Sequence, residues 1–268
     1  MATKPLILLT NDDGIDAPGI NALRRALLDD DYRIIVSAPM YEKSGSGCAL
    51  SLQDEISVEP RRDDSGEIWG YAVGGTPADC VKMAFSAFKI KPDLVLSGIN
   101  RGMNIGNSVF YSGTVAGAIE ASFYGALSMA TSLACWGYKE EFYDDAAKKV
   151  RDLVPWLLKQ KPIPRRFWNF NLPNIRYGKM KNVRLCDHGT SFFMDDFQLY
   201  RQEDNLQVYK NVGTTMRECV TCKNSEEKAL EAGDCSLTLL TTHLESQAAE
   251  GLLSDLKNYT GISDSLKA

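Results

Sequence analysis

Histidine is scarce in this chain of 268 residues: there are two, His188 and His243. A Ser-His-Asp triad or an imidazole-rich zinc site would have to use one of them. His188 stands in Asp187-His-Gly-Thr190, which reads as a loop, and His243 follows an apolar run. Both read as solvated or structural. Basic charge is also lacking. The net charge of −5 leaves no footprint for duplex nucleic acid and no attraction to an anionic membrane. Long hydrophobic runs are absent too. The longest uncharged stretches, 103–119 and 121–138, are broken by Gly, Ser, Thr and Asn and separated by Glu120. They read as buried core, not as a membrane span. Met1-Ala-Thr-Lys-Pro5 runs straight into an apolar strand, so no secretory leader and a cytoplasmic location are expected. The seven cysteines are scattered, and reduced thiols are the default for such a protein. Cys219 and Cys222 form a lone CxxC. Without a second pair at zinc spacing they read as two incidental thiols.

What is present is an ordinary globular composition, 44% hydrophobic and 24% charged. The first 135 residues alternate strand and helix signals: strands at 6–10, 33–38, 51–59, 68–73, 93–97 and 128–135, and helices at 19–28, 76–88 and 114–124. Residues 61–67 read as a turn and 98–113 as a long glycine-bearing loop. Thr76 fits an N-cap and Pro77 the first helical position. This alternation predicts an α/β fold with a mostly parallel, helix-covered sheet. In the second half, a helix at 142–160 precedes short strand signals at 167–171, 183–187, 192–200 and 206–211. A helix at 226–232, a strand at 235–240 and a last helix at 244–257 close the chain. The expected organisation is a catalytic core over 1–160 and a β-rich extension over 161–268 used in assembly.

The run Leu6-Ile-Leu-Leu-Thr-Asn-Asp-Asp-Gly14 is the most informative. A buried parallel strand ends in two adjacent carboxylates, where open α/β sheets bind ligands. Adjacent carboxylates repel, and a hard divalent cation relieves them. Three further loops should open on the same sheet edge: Lys43-Ser-Gly-Ser-Gly47, Ser97-Gly-Ile-Asn100 continuing to Gly102, Asn104 and Gly106, and Tyr111-Ser-Gly-Thr114. Asp12, Asp13, Ser44 and Asn100 are hard oxygen donors of the type magnesium takes. Ser112-Gly113-Thr114 offers hydroxyls and N–H groups at a helix N-terminus, an anion site. Glu42 before Lys43-Ser44 excludes a P-loop, and Gly98-Ile-Asn-Arg-Gly102 fails the dinucleotide pattern.

Five motifs occur in fixed order: Asn11-Asp-Asp-Gly14; Ser44-Gly45; Gly75-Thr-Pro-Ala-Asp-Cys80; Ser97-Gly-Ile-Asn100-x-Gly-x-Asn104-x-Gly106; and Tyr111-Ser-Gly-Thr-Val-Ala-Gly-Ala118. Together they resemble the SurE (survival protein E) family of metal-dependent nucleotidases. Asn169-Phe-Asn-Leu-Pro173 and Ser236-Leu-Thr-Leu239 resemble further family segments. The chain departs from the family at Lys43, where an arginine is usual, and at Ala121, where a glycine is usual. The match is poor over 175–232.

The resemblance implies a Rossmann-like core and a phosphatase acting on nucleoside 5′- and 3′-monophosphates, with short polyphosphate as a further substrate. It implies one divalent ion per subunit, magnesium or manganese, held by Asp12, Asp13, Ser44 and Asn100. Asn11, Asn104, Ser112, Gly113 and Thr114 fall on the phosphate side. It also implies a homodimer or homotetramer built by C-terminal exchange. Asp12, Asp13 and Asn11 are the expected catalytic residues. The nucleophile is open between a water and a carboxylate, with Asp13 the second choice. Two rivals are a non-catalytic nucleotide or polyphosphate sensor and an aspartyl-phosphate phosphatase. The latter needs its aspartates one residue apart, and here they are adjacent.

Overall fold

The computed structural model describes residues 4–28, 32–53, 55–135, 137–217 and 222–243. In chain order the strands are β1 (Leu6–Thr10), β2 (Arg33–Pro39), β3 (Val58–Arg62), β4 (Ile68–Val73), β5 (Leu94–Arg101), β6 (Ser128–Ala134), β7 (Arg166–Pro173), β8 (Val183–Leu185), β9 (Phe192–Glu203), β10 (Leu206–Arg217) and β11 (Cys235–Thr241). The helices are α1 (Pro18–Leu28), α2 (Pro77–Lys82), α3 (Gly113–Phe123), α4 (Tyr143–Leu157) and α5 (Glu226–Glu231). Nine strands form one sheet in the order β3-β4-β2-β1-β5-β6-β7-β11-β8. From β4 to β7 every neighbouring pair is parallel. The outer strands β3 and β11 run antiparallel to β4 and β7. Strands from the second half of the chain therefore complete the sheet begun by the first.

The two-residue period of β1 explains the layering. Ile7 and Leu9 face a cluster with Ile20, Leu23 and Leu27 of α1 and Val150 and Val154 of α4. Leu8 faces the opposite layer, with Val81 and Ala84 after it and Ala121 of α3. Each such fully buried aliphatic side chain contributes roughly 1.5–3 kcal/mol relative to exposure. Thr76 caps α2 as its sequence predicts, in a capping box with Asp79, and Pro77 takes the first turn.

Several boundaries differ from the sequence expectation. The strand expected at 51–59 begins only at Val58. Ser51 is instead tied by its N–H and hydroxyl to the Asp79 carboxylate (3.1 and 2.8 Å), and Thr76 donates to the Ala49 carbonyl (2.7 Å). These side-chain bonds hold the preceding segment to α2. Pro60 is tolerated because β3 is an edge strand. The turn expected at 61–67 shrinks as β3 runs to Arg62. Its tip is held by Asp63, which accepts from the N–H groups of Ser65 and Glu67. β5 continues through the expected glycine loop to Arg101, with its register to β6 broken between Ser97 and Asn100. A 3-10 turn occupies Gly106–Phe110. Cys222 is disulfide-bonded, contrary to the incidental-thiol reading, and Cys219 lies outside the described residues. So does the helix expected at 244–257.

β9 and β10 form a separate two-stranded sheet with a largely exposed apolar surface that includes Phe197, Tyr200 and Tyr209. Among the described residues, no helix is long and apolar enough to cross a membrane.

Candidate functional site

β1 ends in a polar run that the fold keeps from water: Thr10, Asn11 and Asp12 are buried. The Asn11 side-chain amide donates to the Gly14 carbonyl (2.8 Å) and closes the turn. Gly14 adopts φ +104°, which a residue with a Cβ rarely adopts. Two backbone bonds then gather the neighbouring loops. Lys43 N–H donates to the Asp12 carbonyl (2.7 Å), and Gly47 N–H donates to the Tyr111 carbonyl (2.9 Å).

α3 presses its N-terminus against the first carboxylate. Ser112 caps the helix by accepting from Val115 N–H (3.1 Å), and the Thr114 hydroxyl donates to Asp12 Oδ1. A Cβ on Gly113 would lie 2.7 Å from the Asp12 Cβ, so only glycine lets the helix approach this closely. Asp13 accepts from the Arg101 main-chain N–H (3.2 Å). Ser44 spends its hydroxyl proton on Glu42 Oε1 (2.7 Å), and Asn100 donates its amide to the Gly102 carbonyl (2.8 Å), which leaves both oxygens able to ligate.

Burial and adjacent charge set the electrostatics of this cluster. Burial pushes Asp12 above the ordinary carboxyl range, against the hydroxyl of Thr114. Asp13 is pushed up to about 7, first by burial and then by the charge of Asp12, with Glu42 adding further repulsion. A cation beside both would return them to the ionised form. The buried Asn11 Oδ1 has no hydrogen-bond partner. Two carboxylates, a hydroxyl and an amide oxygen make a hard donor set that suits magnesium or manganese. Among the described residues no three His, Cys, Asp or Glu side chains form a metal cluster, so an ion held here would have to draw on neutral oxygens as well.

A cavity of about 570 Å³ opens over these groups. Asp12, Ser44, Asn100, Asn104 and Ser112 line its floor, and Tyr111, Phe192, Asp195 and Asn211 its wall. Asp13, Asn11, Gly113 and Thr114 lie behind that floor, packed on Asp12 or in its turn. Asn104 is anchored from below. Its N–H donates to Asn171 Oδ1 (2.8 Å), its amide donates to Ser132 (2.8 Å), and its carbonyl accepts from Asn169 and Asn171 (2.8 and 3.0 Å). Sequence reasoning assigned no role to Asn169 and Asn171. An Asn-x-Asn pair inside an apolar strand was the available signal. It also missed Glu42 and the hairpin wall, for which local periodicity carries no signal.

His188 does not line this cavity. Its Nδ1 is 3.4 Å from Glu226, whose carboxylate also accepts from Gly189 N–H (3.0 Å) and Gly106 N–H (3.4 Å). The buried Glu226 thus braces the 3-10 turn that carries the cavity wall.

Fold and site together define an α/β protein with a carboxylate pocket and an anion-facing helix N-terminus at the carboxyl edge of a parallel sheet. The chain belongs to the SurE family: the family model described as Survival protein SurE matches residues 7–195. It is 38% identical over 238 residues to a 5′-nucleotidase SurE of Carboxydothermus hydrogenoformans, covering 87% of this chain and 88% of that protein. It is 34% identical over 256 residues to the 5′-nucleotidase SurE of Heliobacterium modesticaldum, covering 95% and 92%. The crystal structure of the SurE protein from Aquifex aeolicus superposes with a TM-score of 0.75 at 32% identity, over 94% of this chain and 98% of that one.

Proposed function

We propose that this protein is a metal-dependent phosphomonoesterase that converts nucleoside 5′-monophosphates, and also 3′-monophosphates, to nucleoside and phosphate. The observation that carries this reading is the Asp12–Asp13 pair, both carboxyls pushed up, with the buried Asp12 against the N-terminus of α3 and the half-buried Asp13 beside it. Asp12, Asp13, Ser44 and Asn100 would hold one magnesium or manganese ion per subunit. The ion would neutralise charge on the phosphoryl oxygens and activate a nucleophile. The chain's own groups do the rest. The first-turn N–H groups after Ser112, at Gly113 and Thr114, receive phosphate oxygens. Asn104, held rigid by β7, presents its side chain from the cavity floor, and Asn11 keeps the turn closed. Tyr111 and Phe192 offer aromatic faces to the base. With no histidine among the described residues lining the cavity, a protonated carboxyl or a water protonates the leaving alkoxide. The extension over 161–268 gives β7, β8 and β11 to the sheet, and its separate exposed hairpin β9–β10 would serve homodimer or homotetramer assembly; the cytoplasm is the proposed location.

Phosphate release from nucleoside monophosphates with added manganese or magnesium, abolished by EDTA, tests the reading. A protein that binds the nucleotide with metal yet releases no phosphate is a sensor and not an enzyme.

A further inference from the structure

The Arg101 side chain, within the Asn100–Gly106 motif, has so far been given no role. It ends β5 directly after Asn100, and its main-chain N–H donates to Asp13 Oδ2 (3.2 Å). Its side chain is 62% exposed and lines the cavity. Nε donates to Glu141 Oε1 (2.6 Å). Among the described residues the two Nη groups make no hydrogen bond to protein, so one edge of the guanidinium fork is available to a ligand.

The cavity needs such a group. Asp12 and Asp195 line it, and Asp13 and Glu42 lie close enough to repel a further negative charge. A divalent ion offsets only the charges of Asp12 and Asp13. A phosphomonoester dianion would then enter a pocket that is still acidic. Among the described residues lining the cavity, Arg101 is the one side-chain cation, and Lys43 of the adjacent loop is not part of the wall. A guanidinium presents paired donors that match two phosphate oxygens, and Glu141 fixes its plane through Nε.

We infer that Arg101 is an anion clamp of this site, binding non-bridging oxygens of the substrate phosphoryl group beside the Asp12–Asp13 pair. This inference rests on the phosphomonoesterase reading. Its test separates the two by titrating inorganic phosphate into magnesium-loaded protein by calorimetry, which requires no turnover. Arg101→Gln should weaken phosphate binding about tenfold, the loss of a partly exposed charge-assisted bond. Arg101→Lys should recover part of it, and the magnesium affinity of neither variant should fall below wild type, since the Arg101 charge already acts on Asp13. Raising the salt concentration should weaken phosphate binding more in wild type than in Arg101→Gln. In turnover, Arg101→Gln should raise KM for a nucleoside monophosphate and the inhibition constant of phosphate together. Unchanged phosphate affinity in Arg101→Gln overturns the clamp even if wild type is active. An equal loss of magnesium affinity also overturns it, because the residue then acts only through Asp13. Absence of turnover in wild type, with phosphate binding still dependent on Arg101, removes the enzymatic reading and leaves the clamp.

Discussion

Asp13 should couple metal binding to proton release near neutrality. In the metal-free protein its carboxyl is pushed up to about 7 by burial and by Asp12. A carboxyl with that value is mostly protonated at pH 6 and mostly ionised at pH 8. It must lose the proton to ligate a cation. Loading magnesium or manganese should therefore release close to one proton from Asp13 at pH 6 and little at pH 8, with any proton on Asp12 adding to the count, and apparent affinity should fall as pH drops below 7. Calorimetry in buffers of different ionisation enthalpy counts these protons. The same group fixes a sign for stability. Folded Asp13 holds its proton up to about 7, whereas in the unfolded chain it ionises at the ordinary value of 3.8. The folded state binds more protons in between. Its contribution is present below about pH 4 and is lost as pH rises through 7. The gap corresponds to roughly 4 kcal/mol at most. Asp13→Asn removes this loss, so without metal it should be more stable than wild type at pH 8, with no such advantage at pH 4. It should also lose the stabilisation that metal gives wild type. A proton count near zero at pH 6, or an Asp13→Asn variant no more stable than wild type at pH 8 in EDTA, would refute this account.

Further outcomes follow from the same geometry. Asp12→Asn should abolish phosphate release and cut divalent-ion affinity, and retained activity with intact affinity would remove Asp12 from the site. Gly113→Ala must displace α3 from the Asp12 Cβ, 2.7 Å from the new methyl, and should cost about 1–3 kcal/mol in chemical denaturation along with most activity. Asn171→Leu strands the Asn104 N–H and removes one donor from its carbonyl. A loss of about 1–3 kcal/mol and lower activity are expected, whereas wild-type stability would mean the cluster is not a brace. Truncation after residue 243, which leaves β11 paired with β7 and β8, should yield monomers in sedimentation velocity if the tail beyond it exchanges between protomers, and an unchanged oligomer excludes that exchange.

The layering was legible because it repeats locally. The period of two in Leu6–Thr10 and the capping residues at Thr76 and Pro77 encode a covered parallel sheet without reference to distant residues. Asp12 and Asp13 were legible as a pair because charge repulsion between neighbours needs no tertiary information. The strand at 51–59 was misjudged because the competing bonds, to Asp79 and Thr76, come from residues more than twenty positions away.

The sequence alone therefore determined the class of fold and the chemical types at the sheet edge, since propensity, periodicity and adjacent charge are short-range. The tertiary structure decided which of those groups share one space. Long-range packing buried Asp12 and brought the Thr114 hydroxyl to it. It also set the Asn169–Asn171 pair beneath Asn104 and folded the β9–β10 hairpin over the cavity. Burial and proximity raise the carboxyl pKa values, and both are properties of the packed chain.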